Sequence, residues 1–97
     1  MASIQSKIKF ENKSEKEIYE AAILAVPQAG LKVWKTRELA LLVIAHGEVD
    51  GMEVRCNIVV SMVDKSTIIT ADSDDLEEKT LNTILARLED SLKAQLA

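Results

Sequence analysis

Residues 39–62 read LALLVIAHGEVDGMEVRCNIVVSM, two runs of alternating apolar residues that meet at Val49-Asp50-Gly51-Met52. A two-residue turn of the primed type needs positive φ at its centre and favours Asp-Gly, so Asp50-Gly51 sets the pairing of the two strands. Val49 then faces Met52. Stepping outward, Gly47 faces Val54, Ala45 faces Cys56, Val43 faces Ile58, Leu41 faces Val60 and Leu39 faces Met62. One side of this hairpin is apolar throughout, and a slip of one residue would turn all of it to solvent.

Beyond the hairpin, the fourth strand is expected over 52–63, with Asp64-Lys65 as a second tight reversal into a fifth strand over 66–72. That strand adds Thr67, Ile69 and Ala71 to the inner face. From Ser73 the acidic run Asp74-Asp75-Leu76-Glu77-Glu78 leads into a long helix, capped by Ser73 or Asp74, with Leu81, Ile84, Leu85, Leu88, Leu92 and Leu96 on one stripe.

Upstream, residues 3–10 read as a first strand with Ile4, Ile8 and Phe10 on one side and Gln5, Lys7 and Lys9 on the other. Ser14-Glu15-Lys16-Glu17 is a capping box that starts a helix running to about Gln28. Ile18, Ala21, Ala22, Ala25 and Val26 or Gln28 line its buried face, Pro27 distorts its last turn, and Gly30 closes it. Residues 31–36 read as the second strand. The length of the connection around Arg37-Glu38 is open, and with it the facing of Trp34. A two-residue loop turns Trp34 to the core beside Leu41; an odd loop turns Leu31 and Val33 inward and Trp34 outward. The second is favoured because the first buries Lys32.

The elements make an α+β fold of order β-α-β-β-β-β-α: an antiparallel curved sheet with both helices on one face and the first strand at the far edge. This order resembles the TATA-binding-protein-like fold and the helix-grip fold of the Bet v 1 and polyketide-cyclase-like lipid carriers. The resemblance covers the whole chain and rests on element order alone. It lacks the allergens' glycine-rich loop and the basic, phenylalanine-bearing saddle of the DNA-binding family, so no family residue carries over.

At 97 residues, 47% of them hydrophobic and 29% charged, the chain has the composition of one globular domain over 1–97. It has neither a run of about 20 apolar residues nor a basic-then-apolar leader at Met1-Ala2-Ser3, which points to the cytoplasm and away from a membrane. Its single cysteine, Cys56, falls on the inner face of the hairpin, where a thiol packs like a small apolar residue. The net charge of −4 argues against a nucleic-acid partner, and a contact of that kind through Lys7, Lys9, Lys32 and Lys35 stands only third among the readings. Residues 1–37 hold seven Lys/Arg against four Glu, however, while residues 38–97 hold five against twelve acids.

Catalytic signals are missing. His46, the one histidine, faces Arg55 on the outer side of the hairpin, and Glu48 faces Glu53 beside them, an arrangement ordinary for a solvated strand pair. Asp72-Ser73-Asp74-Asp75 gathers carboxylates as calcium loops do, but Glu77 stands where the loop needs glycine and Thr83 where it needs glutamate. No metal, cofactor or enzymatic activity is expected.

Two surfaces remain. On the outer side Leu42 faces Val59, with Ile44 and Ile68 beside them and Trp34 if it points outward, an apolar patch suited to self-association as a homodimer or to docking another protein. On the inner side the small or flexible residues of the hairpin, with Cys56, Met62, Ile84 and Leu88 as lining, outline a pocket for a small apolar, lipid-like ligand. The reading adopted is a non-enzymatic binding domain acting through the outer face, with the apolar-ligand carrier as the alternative.

Overall fold

The structure, a computed structural model, describes residues 2–97. Its elements are β1 (Ala2–Lys9), α1 (Glu15–Gln28), β2 (Lys32–Arg37), a 3-10 turn (Glu38–Ala40), β3 (Leu42–Val49), β4 (Met52–Val60), β5 (Ser66–Ser73) and α2 (Glu78–Gln95). The five strands form one antiparallel sheet in the order β1-β5-β4-β3-β2, so β1 and β2 are its edges and α1 carries the chain from one to the other. This is the expected α+β arrangement. The two helices pack on each other, α1 against β2, β3 and β4, and α2 against β1 and β5.

The turn chemistry operates as the sequence implies. Asp50 and Gly51 both have positive φ, 53° and 80°, and the ladder pairs Val49 with Met52, Gly47 with Val54, Ala45 with Cys56 and Val43 with Ile58. Leu41 still meets Val60, whose amide donates to the Leu41 carbonyl. The outermost expected pair does not form. Leu39 lies on the 3-10 turn and is 95% exposed, while β4 ends at Val60. Met62 is on the reversal that follows, where the Ser61 amide donates to the Ser66 carbonyl. That reversal is longer than the Asp64-Lys65 pair alone. Asp64 secures it by accepting from the Ser66 amide at 3.1 Å and the Ser66 hydroxyl at 2.6 Å, and these bonds, with Lys7, hold its carboxyl well below the usual carboxylate range.

Helix α1 begins at the capping box: Ser14 Oγ accepts from the Glu17 amide and the Glu17 carboxylate accepts from the Ser14 amide. Its alanines at 21, 22 and 25 are buried, which lets the helix lie close to the sheet beneath Ile18 and Val26. Gln28 is exposed, and Tyr19 joins the buried face although the stripe did not include it. Helix α2 starts later than the acidic run suggests, at Glu78 after the N-cap Glu77, which makes no side-chain cap. Ser73 instead ends β5: its hydroxyl donates to the Glu53 carbonyl at 2.6 Å and accepts from the amides of Asp75 and Leu76. Chain leaving a buried sheet must turn before it can wind, and Ser73 satisfies the amides of that turn.

The core is one cluster beneath the helices, including Val43, Ala45, Cys56, Ile58, Ile69 and Ala71 from the sheet and Leu81, Ile84, Leu85, Leu88 and Leu92 from α2. Ser91 on α2 donates to the Ala25 carbonyl at 2.8 Å and Ser6 on β1 donates to Glu89, tying α2 to α1 and to the sheet edge. No helix among the described residues is long and apolar enough to cross a membrane.

Candidate binding surface

The facing of Trp34 is decided by a β-bulge. Four residues, Glu38 to Leu41, separate the paired Arg37 and Leu42, and Leu41 takes a left-handed conformation at φ 52°. An uninterrupted ladder from that even loop would place Trp34 opposite Ala45, on the core side. The register shifts between Val33 and Lys35 instead, so Val33 faces Ala45, Lys35 faces Ile44, and Trp34 is the extra residue. A bulge adds one residue to one strand and reverses the facing of everything beyond it. Leu31 is thereby buried, Val33 turns to the inner side, and Trp34 stands 67% exposed beside Ile44 on the outer face.

The outer face consists of cross-strand rows. One row runs Lys7, Ile68, Val59, Leu42, Arg37 across β1, β5, β4, β3 and β2. Ile68, Val59 and Leu42 shield one another there and are only partly exposed. The next row runs Gln5, Thr70, Asn57, Ile44, Lys35, and the third Ser3, Asp72, Arg55, His46, Lys32. The five expected surface residues, Leu42, Ile44, Val59, Ile68 and Trp34, thus lie on one face. Ile44 continues the stripe from Leu42 along β3, but its cross-strand neighbours Asn57 and Thr70 are polar, so the apolar area is a short bent stripe beside a polar field.

In that field is a groove of about 360 Å³ walled by Trp34 and Ile44 and lined by His46, Glu53, Arg55, Asn57 and Asp72. Sequence spacing gave no sign of it, because Asp72 arrives from β5 and Trp34 from beyond a bulge. Arg55 Nε and Nη2 donate to Asp72 Oδ2 at 3.0 and 2.8 Å, with Glu53 at 3.6 Å and Asp74 at 3.8 Å. These carboxylates, Asp72 first through its hydrogen bonds, hold the guanidinium still more firmly in its charged form. Lys35 Nζ lies 5.9 Å from the Trp34 ring centre, a cation–π approach that steadies an otherwise open indole.

Charge is segregated in space. The outward side chains of the strands carry Lys7, Lys9, Lys32, Lys35, Arg37 and Arg55 against only Glu48, Glu53 and Asp72. The other six Lys/Arg of the sequence are set against thirteen acids on the helices, turns and loops. Lys32, Lys35 and Arg37 make no ion pair among the described residues, whereas Lys7 is 3.2 Å from Asp64.

The inner-face set separates. Cys56, Ile84 and Leu88 are together in the core, with Cys56 and Leu88 fully buried, whereas Met62, expected among them, is 64% exposed on the β4–β5 reversal, because β4 ends before reaching it. Burial, and secondarily the charge of Asp72, pushes the Cys56 thiol up to about 12. Among the described residues no three His, Cys, Asp or Glu side chains are grouped to hold a metal ion.

No protein-family model matches this chain, and no curated protein matches its sequence. Among solved structures it is similar to a DUF4468 family protein from Bacteroides ovatus ATCC 8483, with a TM-score of 0.53 at 9% identity, over 77% of this chain and 57% of that one. This chain therefore spans little more than half of that protein's length. The likeness is one of fold.

Proposed function

We propose that this is a non-enzymatic, cytoplasmic binding domain whose working surface is the outer face of the sheet, where it docks a macromolecular partner. The observation that carries the reading is Trp34, held outward by a bulge at the mouth of a polar groove and beside a partly exposed aliphatic stripe. Exposed tryptophans are enriched at binding sites because a rigid ring contributes contact area at little entropic cost. The same element order keeps the resemblance to the TATA-binding-protein-like fold within the proposal. Face-to-face pairing of two copies would set six cations against six, so the surface suits an anionic partner better than a second copy of itself.

The test is a comparison of immobilised proteins exposed to an extract of the source cells. One carries Trp34→Ala with Leu42→Gln and Val59→Gln; a control carries Leu24→Asp, at a residue 58% exposed on α1. Material retained by wild type and control but lost from the triple variant, with melting temperatures preserved, is the expected result. Equal retention by all three would dismiss the outer face.

A further inference from the structure

Resting on the reading of the outer face as the working surface, we infer that its partner is single-stranded nucleic acid, with a base stacked on Trp34 and the flanking phosphates on the cations of β2. Three features on this face converge. The first is the indole itself, 67% exposed on an open sheet, the arrangement on which a base offers its π-face whatever its identity.

The second is the chemistry of the groove beside it. Asn57, His46, Arg55, Asp72 and Glu53 supply flat polar groups, donors and acceptors both, within one cavity of about 360 Å³. A neutral base edge can use both kinds. A phosphate or an acidic side chain cannot settle there, because Asp72 and Glu53 would face it and Arg55 is already engaged by Asp72 at 2.8 Å.

The third is the rim. Lys32, Lys35 and Arg37 are exposed along the edge strand that carries Trp34 and are free of ion pairs among the described residues. A centre that offers both donors and acceptors and is acidic enough to turn phosphates away to its rim, with an aromatic wall and a cationic border, is the pattern of a nucleotide. An acidic peptide would put its charges over the carboxylates. A duplex hides its base faces from Trp34. The protein's overall acidity lies mostly on its helices, turns and loops, and the carboxylates that reach this face from turns, Asp64 beside Lys7 and Asp74 beside Arg55, leave the β2 cations unpaired.

The experiment is a titration of the full chain with fluorescein-labelled 12-nucleotide single strands of mixed sequence, one DNA and one RNA, and with the DNA duplex of the same sequence, at several salt concentrations. Trp34 is the sole tryptophan, so quenching of its emission reports stacking directly while oligonucleotide anisotropy reports binding. Saturable quenching is expected. With three phosphates neutralised, log K should fall against log salt with a slope of about −2, from about 0.7 per contact on single strands. Trp34→Ala should weaken binding at least about five-fold by anisotropy. Replacing Lys32, Lys35 and Arg37 together by alanine should flatten the salt slope, and Lys93→Ala on α2 should change nothing.

A preference for RNA or DNA identifies the natural strand; binding of either supports the inference. It is overturned by no anisotropy change with either strand at low salt, by binding indifferent to Trp34→Ala and to the β2 substitutions, or by tighter binding of the duplex. If the strands fail while a nuclease-resistant protein is captured in a Trp34-dependent way, this inference falls and the binding-face reading stands. Capture indifferent to Trp34, Leu42 and Val59 removes both.

Discussion

Gly51→Ala tests the turn that sets which side chains reach the outer face. Gly51 has φ +80°, and nothing lies within 4 Å of the position an added Cβ would take. The substitution therefore meets no neighbour, and its whole effect is conformational. An L-residue in the left-handed region costs about 1–2 kcal/mol. Alanine also narrows the unfolded ensemble, which offsets about 0.4–1 kcal/mol of that. The net expectation is a loss of about 1 kcal/mol, or about 4–8 °C in Tm for a domain of this size. Urea denaturation should show a lower midpoint with unchanged slope, because the surface exposed on unfolding is the same. Asparagine tolerates the left-handed region, so Gly51→Asn should lose clearly less. Neutral behaviour of Gly51→Ala, or an equal loss in both variants, would refute the primed turn and with it the register from Val49–Met52 to Leu42–Val59.

Thr67 Oγ1 is buried on the inner face without a hydrogen-bond partner, so the nearly isosteric Thr67→Val should stabilise the protein by about 1 kcal/mol in urea melts, and a loss of stability would show that the hydroxyl is satisfied. The Cys56 thiol, pushed up to about 12, should resist an aromatic disulfide reagent at pH 8 in the native protein and react at once in urea. Its folded pKa lies above the ordinary value of 9.0, so the thiol's contribution to stability is complete below about pH 9 and lost as pH rises toward 12. Wild type should accordingly lose stability relative to Cys56→Ala over that window, and a constant difference from pH 7 to 11 would count against the buried, neutral thiol.

The local elements and most of the inner face were legible from residues close together in the chain. Asp50-Gly51 needs positive φ, Ser14 and Glu17 answer each other's amides, and the leucine stripe of α2 has the period of a helix; each depends on residues a few positions apart, so the signal is complete within a short window. Where elements end was less legible. The true start of α2 depends on Ser73 reaching the Glu53 carbonyl 20 residues away, and Met62 left the inner face because β4 stopped at Val60. The candidate surface was legible only in part. Leu42, Ile44, Val59 and Ile68 follow from hairpin register, but the outward turn of Trp34 required a bulge that alternation does not reveal. The groove required Asp72, Arg55 and Trp34 to be brought together from three strands. Charge behaved the same way: a net of −4 averages over the molecule, and only folding into two layers separates a cationic sheet face from acidic helices and loops. Net charge is a sum and is fixed by composition, whereas the field a partner meets depends on where each charge lies, which tertiary structure alone decides.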